Sequence, residues 1–215
     1  WLIGSAFVYD ILPELKESRP HLRVVDLLFN TVGHTENNRK HAEIIDLHLV
    51  ENQEVRDWLL ARGEQAGRVK VIESGVDLER HAPRDKAHDI LSALNISDGA
   101  FIVGFSGRWS EEKDPLGFVE IARLTQATNV VFLMTGTGHM RERIEAAIAE
   151  ACFPEGRFHL VGPVPEVAPY IASYDLLCLN SLFDGRPVVV LEALSMGVPV
   201  VASSVGALPE LVEDG

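Results

Sequence analysis

The stretch DGRPVVVLEALSMGVPVVA, residues 184–202, holds two elements in one short run. Pro187 suits the first turn of a helix and Gly197 its end. Residues 199–203 then read as a strand. A helix that leads at once into a short apolar strand is the repeating unit of a parallel sheet wound by helices. One residue resists this simple reading. Glu192 sits among Val188, Val189, Val190, Leu191, Ala193 and Leu194. Burying an unpaired charge is costly, so a partner is predicted. An arginine and a bound hydroxyl group are both open.

The same rhythm extends outward from this stretch. Strands are expected at 101–106, 130–135, 157–161 and 175–180. Helices are expected from Asp114-Pro115, over 139–150, near 167–172 and from Leu208. Asp114 before Pro115 is a side-chain cap followed by a first-turn proline. Right-handed crossovers then give a doubly wound parallel α/β sheet, with ligands beyond the carboxyl ends of its strands. The first third is more mixed. It reads as strands at 2–9, 23–29, 46–50 and 69–72, with helices at 36–45 and 54–62. Residues 73–83, ESGVDLERHAP, have turn chemistry and no period, which suits a crossing between domains.

Composition narrows the function. The chain of 215 residues is 47% hydrophobic with a formal net charge of −13. That balance argues against nucleic-acid binding or a flat contact with an anionic membrane, both of which need clustered Lys and Arg. No apolar run of about eighteen residues offers a transmembrane segment. Cys152 and Cys178 have no metal or redox spacing and read as reduced core thiols of a cytoplasmic protein. The apolar opening Trp1-Leu2-Ile3-Gly4 reads as the inside of a strand, and the close on Val212-Glu213-Asp214-Gly215 as a helix end. Both mark the chain as a fragment of something longer.

Three loops lie at the predicted ligand edge. Gly107-Arg108-Trp109-Ser110-Glu111-Glu112-Lys113 offers two cations able to grip a diphosphate. Its plainer reading is a surface pair balanced by Glu111 and Glu112. Gly136-Thr137-Gly138 resembles the start of a dinucleotide fingerprint, but Arg141 stands where the third glycine belongs, which sets back a NAD dehydrogenase. It reads equally as a tight turn. Asp184, Gly185 and Arg186 precede the Pro187 helix, whose first amides form an anion site, with Asp184 alternatively a simple cap.

In order along the chain, these motifs resemble those of the retaining glycosyltransferases of the GT-B fold, glycosyltransferase group 1. Asp184 and Glu192, followed by ALSMGVPVVA, match the family's acidic signature. Ser74-Gly75-Val76-Asp77 resembles NGVD, and Gly107-Arg108 through Lys113 resembles GRxxxxK. Gly136-Thr137-Gly138 resembles the GxG loop, and Val205-Gly206-Ala207-Leu208-Pro209-Glu210 resembles GGxPE. The resemblance implies a partial amino-terminal, acceptor-side domain at 1–77 and a Rossmann-like donor domain at 78–215. It also implies transfer of a sugar from a nucleotide-diphosphate sugar to an acceptor hydroxyl with retention of configuration.

By the same resemblance, Glu192 holds the donor ribose and Asp184 contacts the sugar. Arg108 and Lys113 grip the diphosphate, helped by the amides near Gly185 and Arg186. A family histidine near the donor sugar carries over to His34. No metal and no cofactor beyond the donor are implied. The acceptor is a glycan, a lipid or a small molecule, and the full-length protein is cytoplasmic or peripheral to the membrane. Asp184 replaces the family's Glu, Arg186-Pro187 its Phe-Gly, and Ser74 its Asn. These departures keep open a catalytically inactive sugar-nucleotide-binding or scaffold module, and an epimerase of the same fold is a further alternative. As a fragment, the chain is expected to bind a nucleoside diphosphate and to transfer sugar poorly or not at all.

Overall fold

The computed structural model describes residues 2–3, 6–32 and 35–213. The chain divides into two compact units, Trp1–Ser74 and Gly75–Gly215.

In the second unit the sequence runs through α4 (His88–Ala93), β5 (Phe101–Arg108), α5 (Pro115–Leu124), β6 (Val130–Thr137) and α6 (Arg141–Ala151). It continues with β7 (Phe158–Val161), α7 (Ala168–Ala172), β8 (Leu176–Leu179), α8 (Val188–Ser195), β9 (Val200–Ala202) and α9 (Leu208–Leu211). The strands pair in parallel in the order β7-β6-β5-β8-β9. Alternate residues of each strand feed different layers, as the two-residue period requires. Phe132 and Met134 of β6 and Cys178 of β8 join Phe118 and Ala122 of α5 and Ile144 of α6 on one face. Leu133, Leu177 and Leu179 join Ile171 of α7, Val190 and Ala193 of α8 and Leu208 of α9 on the other. Both faces are therefore covered, and the doubly wound reading holds.

The first unit holds β1 (Leu2–Ile3), α1 (Ala6–Ser18), β2 (Val25–Leu28), α2 (Thr35–Lys40), β3 (Leu47–Val50), α3 (Gln53–Ala61) and β4 (Val69–Val71). Its four strands are parallel in chain order. A polar layer runs through it. Asp26 of β2 pairs in register with His48 of β3, and Tyr9 Oη donates to the Asp26 carboxylate at 2.7 Å. Burial holds the His48 imidazole below its usual pKa.

Several expectations are corrected. The strand expected at 2–9 ends at Ile3, and the second half of that stretch, residues 6–9, opens α1. Pro13 inside α1 disguises a helix whose Tyr9 and Leu12, three apart, are both buried. The helix expected at 36–45 stops at Lys40, where turns take over. α4 was not expected, because it is short and Leu91 is its one buried residue. Cys178 is buried, but Cys152 is exposed and ends α6 in a left-handed conformation (φ 49°), so only one thiol belongs to the core.

Asp46 links the ends of β2 and β3. It accepts from the Val24 amide at 2.8 Å and from Arg23 at 2.7 Å, with Lys16 at 3.3 Å. Partial burial pushes its pKa up, but these three partners outweigh that effect and lower it from 3.8 to about 2. A depressed carboxylate stabilises the fold above its ordinary pKa, and that contribution is lost as pH falls through about 2. Asp46→Asn is therefore expected to flatten the acid limb of stability. Urea midpoints taken between about pH 5 and pH 2 would check this, and an unchanged slope would refute it.

Candidate functional site

β5 is the centre of the second sheet, with β6 on one side and β8 on the other. The chain leaves β5 towards β6 and later crosses back to β8. The carboxyl ends of β5 and β8 therefore flank the switch point where such sheets open a crevice. Every predicted loop of the second unit starts at this edge.

β5 and β6 run two residues further than expected, with Gly107 opposite Gly136 and Arg108 opposite Thr137. Gly136 has φ 142°, and a Cβ there would lie 1.9 Å from the Gly107 carbonyl oxygen. At Gly138 a Cβ would lie 2.2 Å from the Trp109 carbonyl oxygen. The GxG spacing is therefore a close seam where β5 and β6 end and their loops begin, in place of the tight turn that was one reading of it. Trp109 is fully buried beneath the seam, and its carbonyl accepts from the Met140 amide at 3.2 Å.

The basic loop divides its cations. Arg108 is exposed and paired with Glu112, as the plainer reading had it. Glu111, in contrast, bonds His139 at 2.7 Å and Arg143 at 3.2 Å. Lys113 turns inward and forms an ion pair with Asp184, the two side chains being only 14% and 8% exposed. The local backbone explains this direction. Asp114 takes a left-handed conformation (φ 47°, ψ 56°) and caps α5 by accepting from the Gly117 amide at 3.0 Å. Asn180, just after β8, donates to the Asp114 carbonyl at 2.7 Å, and the Leu182 amide donates to the Glu112 carbonyl at 2.8 Å. The two loops are thus joined on both sides of Lys113. Asn180 escaped the sequence reading, which offered no motif to mark it.

Asp184 also accepts from Ser181 Oγ at 3.3 Å and from the Gly185 amide at 3.0 Å. It does not cap α8. That place belongs to Pro187, which makes no side-chain cap bond. The structure brings together Lys113 and Asp184, two groups that the sequence assigned to different parts of one ligand. Arg186 is buried with Nη1 3.9 Å from Glu210, and the Ala207 amide donates to the Gly185 carbonyl at 2.8 Å. The loop at 203–207 is thereby drawn against the start of α8.

Glu192 has a partner, and it was not an expected one. His81 Nε2 lies 3.3 Å from Glu192 Oε1, with both side chains largely buried. His81 belongs to the segment read only as a crossing, and a lone histidine in a turn-rich stretch gave no signal.

His34 lies outside the described residues. The first unit also has a groove of about 840 Å³ between α2 and α3. Its Arg39 and Arg68 are both engaged by Glu64, at 3.0 and 3.1 Å, so both cations already hold a protein partner. Among the described residues no three His, Cys, Asp or Glu side chains cluster to hold a metal, and no helix is long and apolar enough to cross a membrane.

Comparison with known proteins now bears on this edge. The chain is 28% identical over 152 residues to the UDP-Gal:alpha-D-GlcNAc-diphosphoundecaprenol alpha-1,3-galactosyltransferase of Escherichia coli, covering 68% of this chain and 39% of that protein. It is 30% identical over 169 residues to a GDP-mannose-dependent alpha-mannosyltransferase of Mycobacterium tuberculosis, covering 79% of this chain and 42% of that protein. The chain thus spans about two fifths of the length of the curated relatives it matches. In fold it is similar to Anabaena Alr3699/HepE, solved in complex with UDP and glucose. The TM-score is 0.82 at 20% identity, covering all of this chain and 61% of that one. Such neighbours are GT-B glycosyltransferases, and the α/β architecture is theirs. The family model described as "Glycosyl transferases group 1" matches residues 100–215, which take in the whole switch-point edge, and the chain belongs to that family.

Proposed function

We propose that this chain carries the donor-binding part of a retaining glycosyltransferase that takes its sugar from a nucleotide-diphosphate sugar. The observation that carries the reading is the cation Lys113, largely withdrawn from solvent at the switch point and held there by two loops. A buried, preoriented cation suits a diphosphate leaving group, whose negative charge grows as the anomeric C–O bond breaks. In the proposed reaction the diphosphate departs with that electron pair. The acceptor oxygen bonds the anomeric carbon on the same face and releases its proton. Arg108, exposed at the end of β5, adds a second cation, and the seam of Gly107, Gly136 and Gly138 keeps side chains off the approach.

Glu192 holds the ribose hydroxyls in this reading, Asp184 meets the sugar, and the amides near Gly185 and Arg186 face the phosphates. His34 keeps its assignment near the sugar. The paired cations take the charge-neutralising task, so the reaction is proposed to need no metal and no further cofactor. The group transferred is proposed to be a hexosyl unit, and the acceptor a glycan, a lipid or a small molecule. The protein is proposed to be cytoplasmic, in keeping with its unpaired cysteines.

Titration calorimetry of UDP, GDP and ADP against the chain tests the reading. One of them is expected to bind, and Glu192→Gln is expected to weaken it by about 1–3 kcal/mol, the range for a hydrogen bond to a charged group. Unchanged affinity in that variant would remove the ribose role. A second reading, a sugar-nucleotide-binding module without turnover, draws support from the Lys113–Asp184 pair, because each group there already satisfies the other. Donor consumption by a longer chain separates the two readings, since a module binds without consuming donor.

A further inference from the structure

His81 is the unexpected neighbour of Glu192, and its surroundings specify a proton. Asp77 builds the turn that delivers it. The Asp77 carboxylate accepts the amides of Glu79 at 2.9 Å and Arg80 at 3.1 Å, and its carbonyl accepts the His81 amide at 3.0 Å. The turn sends Arg80 outward to Glu166 at 2.7 Å and His81 inward, where it is 7% exposed. α8 is tied to the same residue, because Ser195 Oγ donates to the His81 carbonyl at 3.0 Å.

Both ring nitrogens face acceptors. Nδ1 lies 3.0 Å from the Asp77 carbonyl oxygen, and Nε2 lies 3.3 Å from Glu192 Oε1. A carbonyl oxygen only accepts, so Nδ1 must carry a hydrogen. In the neutral ring Nε2 would then present a lone pair to a carboxylate. The contact is satisfied only when one further proton lies between Nε2 and Oε1.

We propose that His81 is a positioning residue for the donor site, and that a proton shared with Glu192 aims the Glu192 carboxylate at the donor ribose. This inference rests on the ribose role given above to Glu192. The protonated imidazole occupies Oε1 and fixes the carboxylate plane. Oε2 and the remaining lone pairs are left to accept from ribose hydroxyls. When the proton leaves, the Nε2 lone pair repels the carboxylate, and the side chain loses its preset direction. Donor affinity then falls as pH rises. The charged groups around the pair are Glu192 from α8, Asp77 and Arg80 from the turn, and Glu166, which holds Arg80.

The experiment is calorimetric titration of the chain with UDP, GDP and ADP, and with the 2′-deoxy form of whichever binds, from about pH 5.5 to 9. The ribo and deoxy ligands titrate alike at their phosphates, so any difference between them isolates the ribose contact. For the wild type, the ribonucleotide is expected to lose roughly tenfold in affinity across the range, the worth of one charge-assisted hydrogen bond, and the deoxy form much less. His81→Phe should show the weaker affinity at every pH. His81→Gln, whose amide donates without titrating, should bind well at high pH with a flat profile. Two results overturn the inference and leave the donor reading standing. One is a ribonucleotide profile parallel to the deoxy profile in the wild type. The other is an equal loss for both ligands in His81→Phe, accompanied by a lowered melting temperature. Absence of binding by the wild type to all three nucleotides overturns the donor reading itself, and the inference with it.

Discussion

Lys113→Met is expected to destabilise the second unit by about 3–5 kcal/mol and to abolish nucleotide binding, because it leaves the buried Asp184 carboxylate without its counter-ion. The side chain of Asp184 is only 8% exposed, so water cannot replace the lost ammonium group. Its remaining partners, Ser181 Oγ and the Gly185 amide, donate hydrogen bonds and carry no charge. A second substitution separates structure from function. Adding Asp184→Asn removes the stranded charge and keeps an acceptor for the Gly185 amide, so most of the stability should return. Nucleotide binding should not return, because the cation proposed to meet the diphosphate is still absent. Chemical denaturation and calorimetry on the two variants read the two effects apart. A double variant that regains stability and also binds nucleotide would show that Lys113 serves only the fold.

The pair also shows what a sequence can and cannot disclose. Strands of the second unit were legible because β6 and β8 are apolar runs between turn residues, and helix ends were legible because Asp114-Pro115 and Gly197 punctuate them. Those signals are local. α1 was hidden by a proline that its surroundings tolerate, and α4 by having only Leu91 to bury. At the site, the identities of Lys113, Asp184 and Glu192 as notable residues came from local pattern and resemblance. Their partners did not. Lys113 and Asp184 are 71 positions apart, and nothing in either loop says that the two meet. His81 is harder still, because a histidine in a turn becomes a partner only once the Asp77 turn has folded it against α8. Pairings of this kind are set by tertiary packing, which local periodicity does not encode.

Backbone seams fall between these cases, and they lead to a second large effect. Gly136→Ala is expected to cost the second unit about 2–6 kcal/mol, through two penalties that add at one atom. The conformation at φ 142° is one that L side chains rarely adopt, which costs about 1–3 kcal/mol. The new methyl group would also lie 1.9 Å from the Gly107 carbonyl oxygen. That oxygen belongs to the backbone of the central strand, so it cannot swing aside as a side-chain tip would, and overpacking adds about 1–3 kcal/mol. Relief requires β5 and β6 to part at Gly107 and Gly136, one register pair before their ends at the site. Such parting would disturb Trp109, whose amide donates to the Thr137 carbonyl at 2.8 Å, and with it the start of the loop that aims Lys113. Nucleotide binding should therefore fall together with stability. Gly156→Ala is the control, since it too has a positive φ (74°) but has open space around its Cβ. It should show the conformational cost alone and leave binding intact. Equal losses of stability in the two variants, measured by urea denaturation, would show that the seam tolerates the methyl group and that only the backbone angle matters.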